Sequence, residues 1–382
     1  MELPSYFVDF LKNIRSTANQ VEDYKTGHSV LRDRLKQDTK LSKIIISTFL
    51  QGSYRRSTAI RPKAEKRADV DVIVVTKLSK EEYTPAQATD LFIPFLDKFY
   101  EEKYSKQSRS FGITLSYVDL DLVVTAAPSE GEIGILKSDA VTSTDTPEDV
   151  EDWRLVKSWI PTQARLALTD TKLLLEAQRE AEWKPSPLLI PDRDTKSWEH
   201  THPLAQMRWT WDKNKKTNGH YVNVVKAIKW WRRVRHPDTK YPKGYPLEHL
   251  VGICCPDNLD SVAQGVTAAL EAITTSYQYY ASIKRTPFLP DHGVPEHNIL
   301  GRVSGEDFAI FHAQVADAAK IARRALDADS VRESAEAWRE LFGDEFPAPP
   351  PSGGPDKTGE GPKKGGFTER AAITTVGGGR YA

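Results

Sequence analysis

The sequence predicts an α/β protein of two lobes, a mixed-sheet first part followed by a mostly helical second part. Two patterns point to it. Short β-branched runs stand at 44–50, 69–76 and 111–125, and long segments of helical spacing occupy 220–236, 246–280 and 305–342. The length agrees: at roughly 150 residues per domain, 382 residues make about two domains with an ample core. No internal repeat is present.

Taken in order, residues 4–37 read as one helix. Phe7, Phe10, Leu11 and Ile14 recur at helical spacing, and Val30, Leu31 and Leu35 continue the stripe past the interruption at Gly27. The apolar run 44–50 ends in Gly52-Ser53, so a strand or short helix meets a tight turn there. Residues 69–76, DVDVIVVT, alternate at their start and are read as a strand. Residues 85–104 are read as helix, and 111–125, FGITLSYVDLDLVVT, as one strand or two. Polar, loop-like sequence fills 126–150. Trp-rich, Pro-punctuated sequence then leads to the helix HYVNVVKAIKWWRRVRH. The expected division is therefore 1–150, 151–346 and 347–382. The last of these holds 9 of the chain's 22 glycines and 6 of its 24 prolines, too many for a packed element. Residues 347–366 are expected to be a flexible linker and 367–382 an exposed tail. Such an end either reaches a partner or frays.

Composition narrows the classes. Lys+Arg and Asp+Glu both number 53, which excludes a globally basic nucleic-acid coat and leaves only a local patch. The two cysteines, Cys254 and Cys255, are neighbours and cannot build a disulfide framework or a four-ligand zinc site by themselves. No run approaches ~18 apolar residues, and the start of the chain lacks the basic and apolar regions of a signal peptide. A protein of the cytoplasm, without a membrane span, is expected.

The chemistry is carried by carboxylates. On a strand, residues i and i+2 share a face, so Asp69 and Asp71 project together at the start of a buried strand whose Val70, Val72 and Val74 face the core. Like charges so close repel unless a cation lies between them, and carboxylate oxygens are the ligands Mg2+ prefers beside phosphates. Asp119 and Asp121 stand on the later run YVDLDLVV and offer a third carboxylate, the set a two-metal phosphoryl-transfer site requires. Upstream, Gly52-Ser53 lets the backbone approach a phosphate while a hydroxyl donates to it. Between these points lie Arg55, Arg56, Arg61, Lys63, Lys66 and Arg67, either a polyphosphate-attracting patch or a solvated loop. The bland alternative for the Asp-Val-Asp run is a polar strand end. Trp230 and Trp231 point about 100° apart on a helix, so at least one is core packing and neither is read as a ligand.

The pattern LQGSYRRSTAIRP, ADVDVIVV, VDLDLVV resembles the catalytic core of the polymerase-β-like nucleotidyltransferases. It is most like the branch that holds cGAS, oligoadenylate synthase and the bacterial cGAS/DncV-like nucleotidyltransferases. The likeness continues through TNGHYVNVVKAIKWWRRVRH, KGYPLEHLV and WRELFGDEFP, and spans about residues 40–347. It implies a nucleotidyltransferase core with a helical second lobe, two Mg2+ ions (or Mn2+) and nucleoside triphosphate substrates, ATP, GTP or a pyrimidine nucleotide. Gly52 and Ser53 match the turn that holds the donor triphosphate. Asp69 and Asp71 match the metal-binding pair, and Asp121 the third acid, which helps deprotonate the attacking hydroxyl; Asp119 on the same face is the second candidate for that role. Lys229 resembles the lysine that contacts donor phosphates, and Tyr245 the tyrosine that stacks on a nucleobase.

The ending TTVGGGRYA resembles the tails of bacterial enzymes of this branch from antiphage operons that also encode a ubiquitin-activating/conjugating-like partner. That resemblance implies conjugation through the carboxylate of Ala382, and a cyclic di- or trinucleotide messenger that alone reaches the downstream effector. Two other classes stay open: a nucleotidyltransferase of linear product acting on an RNA 3′ end or another acceptor, and a silent protein that displays its tail.

Overall fold

In the computed structural model of the chain, the described residues are 1–62, 66–126 and 187–351. Nearly all of the expected loop at 126–150, the boundary at 150/151, most of the 347–366 linker and the tail ending in Ala382 lie outside them. Residues Met1–Pro349 form one compact unit.

The chain opens with α1 (Pro4–Asn13) and α2 (Ala18–Gln37), then β1 (Ile45–Gln51), the single turn α3 (Gly52–Arg55) and β2 (Asp69–Thr76). Two short helices follow, α4 (Pro85–Asp90) and α5 (Ile93–Tyr100), then β3 (Tyr104–Lys106), β4 (Phe111–Thr114) and β5 (Asp119–Ala126). After the undescribed segment come β6 (Leu188–Asp192) and β7 (Ser197–Thr201). The helices α6 (Pro203–Lys216), α7 (Tyr221–Arg235), α8 (Gly244–Cys254), α9 (Val262–Ser282), α10 (Gly305–Asp327) and α11 (Val331–Phe342) complete the described chain.

Among the described residues the strands make one mixed sheet of order β1-β2-β5-β4-β3, with β6 joined to β5 and β7 to β6. The pair β2–β5 is parallel and the remaining pairs are antiparallel. Val70, Val72, Val74, Leu120, Leu122 and Val124 are almost fully buried and pack against Leu31 and Leu35 of α2 and Phe95 and Leu96 of α5. Each fully buried valine or leucine contributes about 1.5–3 kcal/mol, so this face fixes the register of β2 and β5. The opposite face carries Phe49, Ile73, Val75 and Val123. A second core, built from α1 and α7–α11, surrounds Phe7, Phe10, Trp231, Phe308, Trp338 and Phe342. The first core is built on the sheet and the second is helical.

Several expectations are corrected. The helix read over 4–37 is two helices, and it breaks at Ile14–Thr17, not at Gly27. Thr17 caps α2 with a capping box: its hydroxyl accepts from the Gln20 N–H at 3.3 Å while the Gln20 side chain accepts from the Thr17 N–H at 2.9 Å. Gly27 stays inside α2 because the helix runs tight against the sheet; a Cβ there would meet Val118 Cγ1 at 2.5 Å. Of the two, α2 packs on the sheet, while α1 is buried in the helical core, where the Phe10 and Phe342 rings stack at 4.5 Å. The 85–104 segment is two helices and the start of β3, because Pro94 restarts the helix at its first turn. The second part is not wholly helical either: β6 and β7 form a hairpin on the sheet. The buried Asp192 carboxylate closes its turn by accepting from the N–H groups of Asp194 (2.9 Å) and Thr195 (3.1 Å). No described helix is long and apolar enough to cross a membrane.

Candidate active site

Parallel pairing of β2 with β5 sets Asp69 beside Asp119 and Asp71 beside Asp121. Period-two alternation then turns all four to the side of Ile73, Val75 and Val123, away from Val70, Val72, Leu120 and Leu122. One carboxylate oxygen from each of Asp69, Asp71 and Asp121 lies within 4.8 Å of the others. Among the described residues this is the one cluster with the makings of a cation site. Asp119 stands apart: its Oδ1 lies 3.7 Å from Arg67 Nε, and Arg67 in turn donates to the Leu115 carbonyl. The structure therefore groups Asp121, not Asp119, with the Asp69–Asp71 pair.

The electrostatics follow from crowding. Loss of water around the Asp69 carboxyl, then the charges of Asp121, Asp71 and Asp119, push it up to about 8. Asp121 rises to about 6 for the same reasons, desolvation first and Asp71 second, and the Gln107 amide donating at 3.2 Å holds it back. Burial raises Asp71 as well, against the nearby positive charge of Arg56. Asp69 reaches solvent, so water and salt screen part of this repulsion. Three hard oxygen donors that repel one another unless a cation joins them fit a divalent ion such as Mg2+.

The Gly52-Ser53 turn lies directly on this cluster. β1 pairs with β2 so that Gln51 faces Asp71, and the next residue, Gly52, takes a φ of 78°. α3 begins there, and the Ser53 carbonyl accepts from the N–H groups of Thr58 (2.9 Å) and Ala59 (3.0 Å), curling the chain back on itself.

Lys229 and Tyr245 lie on the helical side, on α7 and α8. The Lys229 ammonium is turned inward, donating to Glu248 Oε1 at 2.8 Å and to the Thr58 carbonyl at 3.0 Å. Its side chain also lines a cavity of about 240 Å³ with Arg232, Arg233, His236 and Gly244. Tyr245 is half-buried: the Arg56 guanidinium stands 4.9 Å over its ring and its hydroxyl donates to Asp291 Oδ2 at 3.2 Å. Trp231 is buried, and Trp230 donates its indole N–H to the Phe342 carbonyl, so both are packing residues.

Over its described residues the basic run between the turn and β2 is mostly packed into the protein rather than solvated. Arg55 and Arg56 are buried, Arg61 Nε donates to the Arg15 carbonyl, Arg67 pairs with Asp119, and only Lys66 is exposed. Lys63 lies outside the described residues. Sequence reasoning missed Glu248, Gln107 and Asp291. Glu248 leaves one signal in the sequence, a carboxylate on the apolar face of YPLEHLV; the other two leave none.

A mixed sheet presenting Gly-Ser, an Asp-x-Asp strand and a third aspartate on the parallel neighbour, closed by a helical lobe, defines a nucleotidyltransferase. The model of the Second Messenger Oligonucleotide or Dinucleotide Synthetase domain matches residues 1–140. The chain is 49% identical over 374 residues, 96% of each chain, to a probable cyclic AMP-AMP-GMP nucleotide synthase of Salmonella paratyphi B. It is 48% identical over 374 residues, again 96% of each, to the cyclic AMP-AMP-GMP synthase of Enterobacter hormaechei subsp. hoffmannii. Its fold is similar to that of the CD-NTase CdnG of Bradyrhizobium diazoefficiens in complex with GTP, with a TM-score of 0.63, 11% identity and coverage of 90% of this chain and 96% of that one. The chain belongs to the bacterial cGAS/DncV-like nucleotidyltransferases, enzymes that make cyclic nucleotide second messengers.

Proposed function

We propose that this enzyme joins ATP and GTP into the cyclic trinucleotide cyclic AMP-AMP-GMP. The observation that carries this reading is near-half identity, over 96% of each chain, with one synthase and one probable synthase of that product. In each step a ribose hydroxyl oxygen forms a bond to the α-phosphorus of a nucleoside triphosphate. The bond from that phosphorus to the bridging oxygen breaks, and pyrophosphate leaves with the electron pair. Asp121 accepts the hydroxyl proton, and the last step joins the two ends of the linear chain. Ser53 and the backbone after Gly52 receive the donor phosphates, and Tyr245 stacks on a base. Asp69, Asp71 and Asp121 would hold Mg2+, which when bound neutralises charge on the attacking and leaving oxygens. The fit of the three-carboxylate cluster to a divalent ion supports this assignment.

The test supplies the purified protein with all four ribonucleoside triphosphates and Mg2+, omits each in turn, treats with phosphatase and weighs the survivors. The expected outcome is a phosphatase-resistant ring of two adenylates and one guanylate that needs only ATP and GTP. Chains that phosphatase degrades, or extension of an added RNA, would favour the linear-product class instead.

We further propose that Ala382 is the site of conjugation by a ubiquitin-activating/conjugating-like partner, with the messenger acting in antiphage defence through a separate effector. The Gly- and Pro-rich composition of 347–366 supports the reach this requires, and a small final residue suits a carboxylate entering a narrow site. Removing the last few residues is expected to abolish the conjugate and leave nucleotide synthesis intact; an undiminished conjugate would refute the assignment.

A further inference from the structure

Away from the carboxylate cluster, two buried charges and a third that is nearly so meet at one point. Arg56 Nε lies 3.0 Å from Glu248 Oε2, and Lys229 Nζ lies 2.8 Å from Glu248 Oε1. The side chains are 4%, 3% and 13% exposed for Arg56, Glu248 and Lys229. Burial alone would raise the Glu248 carboxyl, but the two cations pull it down to about 2, so it stays ionised.

We propose that Glu248 is a positioning residue of the transfer reaction: by pairing with Arg56 and Lys229 inside the protein, it fixes the turn of residues 52–58 over Asp71 and so sets where the donor phosphates lie. The inference rests on the nucleotidyl-transfer reading above. Its structural basis is the way the turn is gripped. Arg56 follows α3 directly and donates its backbone N–H to the Gly52 carbonyl at 3.1 Å. Two residues on, the Thr58 carbonyl accepts from Lys229 Nζ at 3.0 Å. Glu248 on α8 thus holds one end of the 56–58 segment through Arg56 and the other through Lys229. Between the two anchors sits Ser57, at a φ of 57°. A non-glycine residue holds that left-handed conformation only where its surroundings over-determine it.

Stability does not explain the arrangement. Three desolvated charges are costly, and apolar groups of similar volume in such places are often as stable or more so. What an ion triplet supplies and an apolar cluster does not is direction, since each charge fixes the atom opposite it. A displacement of about 1 Å in a reactant's seat is enough to slow a reaction on the order of 100-fold.

The experiment separates direction from stability. The double variant Arg56→Met with Glu248→Met removes one charge of each sign and keeps the volume. We expect it to fold with a lowered melting temperature, because Lys229 loses its carboxylate partner, and with kcat lower by roughly 10- to 100-fold and a raised KM for the nucleotides. Arg56→Lys keeps the charge balance but loses the Nε–H that meets Glu248. It is the second arm, should the double variant not fold, and the same kinetic loss is expected. Either variant folded and turning over within about twofold of the unaltered rate would overturn the proposal and make the triplet a packing feature. Binding of a non-hydrolysable ATP analogue with Mg2+, measured by calorimetry, is the readout without turnover, and at least a fivefold weakening is expected. If the unaltered protein makes no nucleotide product, the transfer reading fails while calorimetry still decides whether Glu248 shapes a phosphate seat; unchanged affinity would again overturn it.

Discussion

Gly52 and Asp71 touch: a Cβ added to Gly52 would lie 1.7 Å from Asp71 Oδ2 and 2.8 Å from its Cγ. The turn proposed to hold the phosphates and a strand carboxylate proposed to hold the cation are thus one contact surface. Register produces it, since Gln51 pairs with Asp71 and the chain then swings away at once. Only a residue without a side chain leaves Asp71 in place there, and the φ of 78° adds a second reason for glycine.

Gly52→Ala is accordingly expected to displace the Asp71 carboxylate. Synthesis should fall at least ~100-fold, the scale of a 1 Å misplacement, and the left-handed alanine should cost about 1–2 kcal/mol of stability. Initial rates and urea unfolding of the purified variant check both.

Asp69→Asn should uncouple the melting temperature from pH. The folded-state carboxyl is held up at about 8 against an ordinary 3.8, so the folded protein binds this proton more tightly than the unfolded chain. Stability from this group is full below 3.8 and is lost as pH rises through 8. In EDTA the melting temperature should therefore fall between pH 6.5 and 8, and Mg2+, standing in for the proton, should restore it most at pH 8. Asp69→Asn should flatten the EDTA curve and remove the Mg2+ effect. Differential scanning fluorimetry across that range checks this, and a Mg2+ shift that survives the substitution would move the ion elsewhere.

How much of this is legible in the sequence depends on the range of the interaction. Asp69, Asp71 and Asp121 are legible because strand alternation is local and the apolar residues between them mark the buried face. Alternation does not settle the choice of Asp121 over Asp119, since both lie on one face. It is Arg67, distant in sequence, that draws Asp119 aside. The split of the first helix is carried by Thr17 and Gln20, a capping signal that the continuous apolar stripe masks. β6 and β7 escape a sequence reading because Pro191 and the polar β7 lack an apolar alternation. Lys229 is found as a residue, but nothing in the sequence signals that its ammonium faces Glu248, because that partner arrives on another helix.

Acid should destabilise the helical lobe through its stacked rings. The His292 ring lies 3.8 Å from that of Trp209 and 3.6 Å from that of His249. Burial holds His249 down at about 3 and His292 at about 4. Lowered values mean stability that is present above the ordinary 6.5 and lost as pH falls from there toward 4. Urea unfolding should lose up to about 1.4 kcal/mol per pH unit for each ring, and His249→Phe with His292→Phe should reduce that slope. A slope unchanged by the pair would show that other groups govern acid unfolding.

The central claim is that three strand carboxylates close a ring of nucleotides. It is tested most directly by giving the unaltered enzyme and Asp121→Asn the same ATP, GTP and Mg2+, then measuring pyrophosphate release and the mass of phosphatase-resistant product. The account expects a ring of two adenylates and one guanylate, with one pyrophosphate for each bond formed, from the unaltered enzyme and none from a folded Asp121→Asn. Undiminished ring synthesis by Asp121→Asn, or phosphatase-sensitive chains alone from the unaltered enzyme, would contradict it.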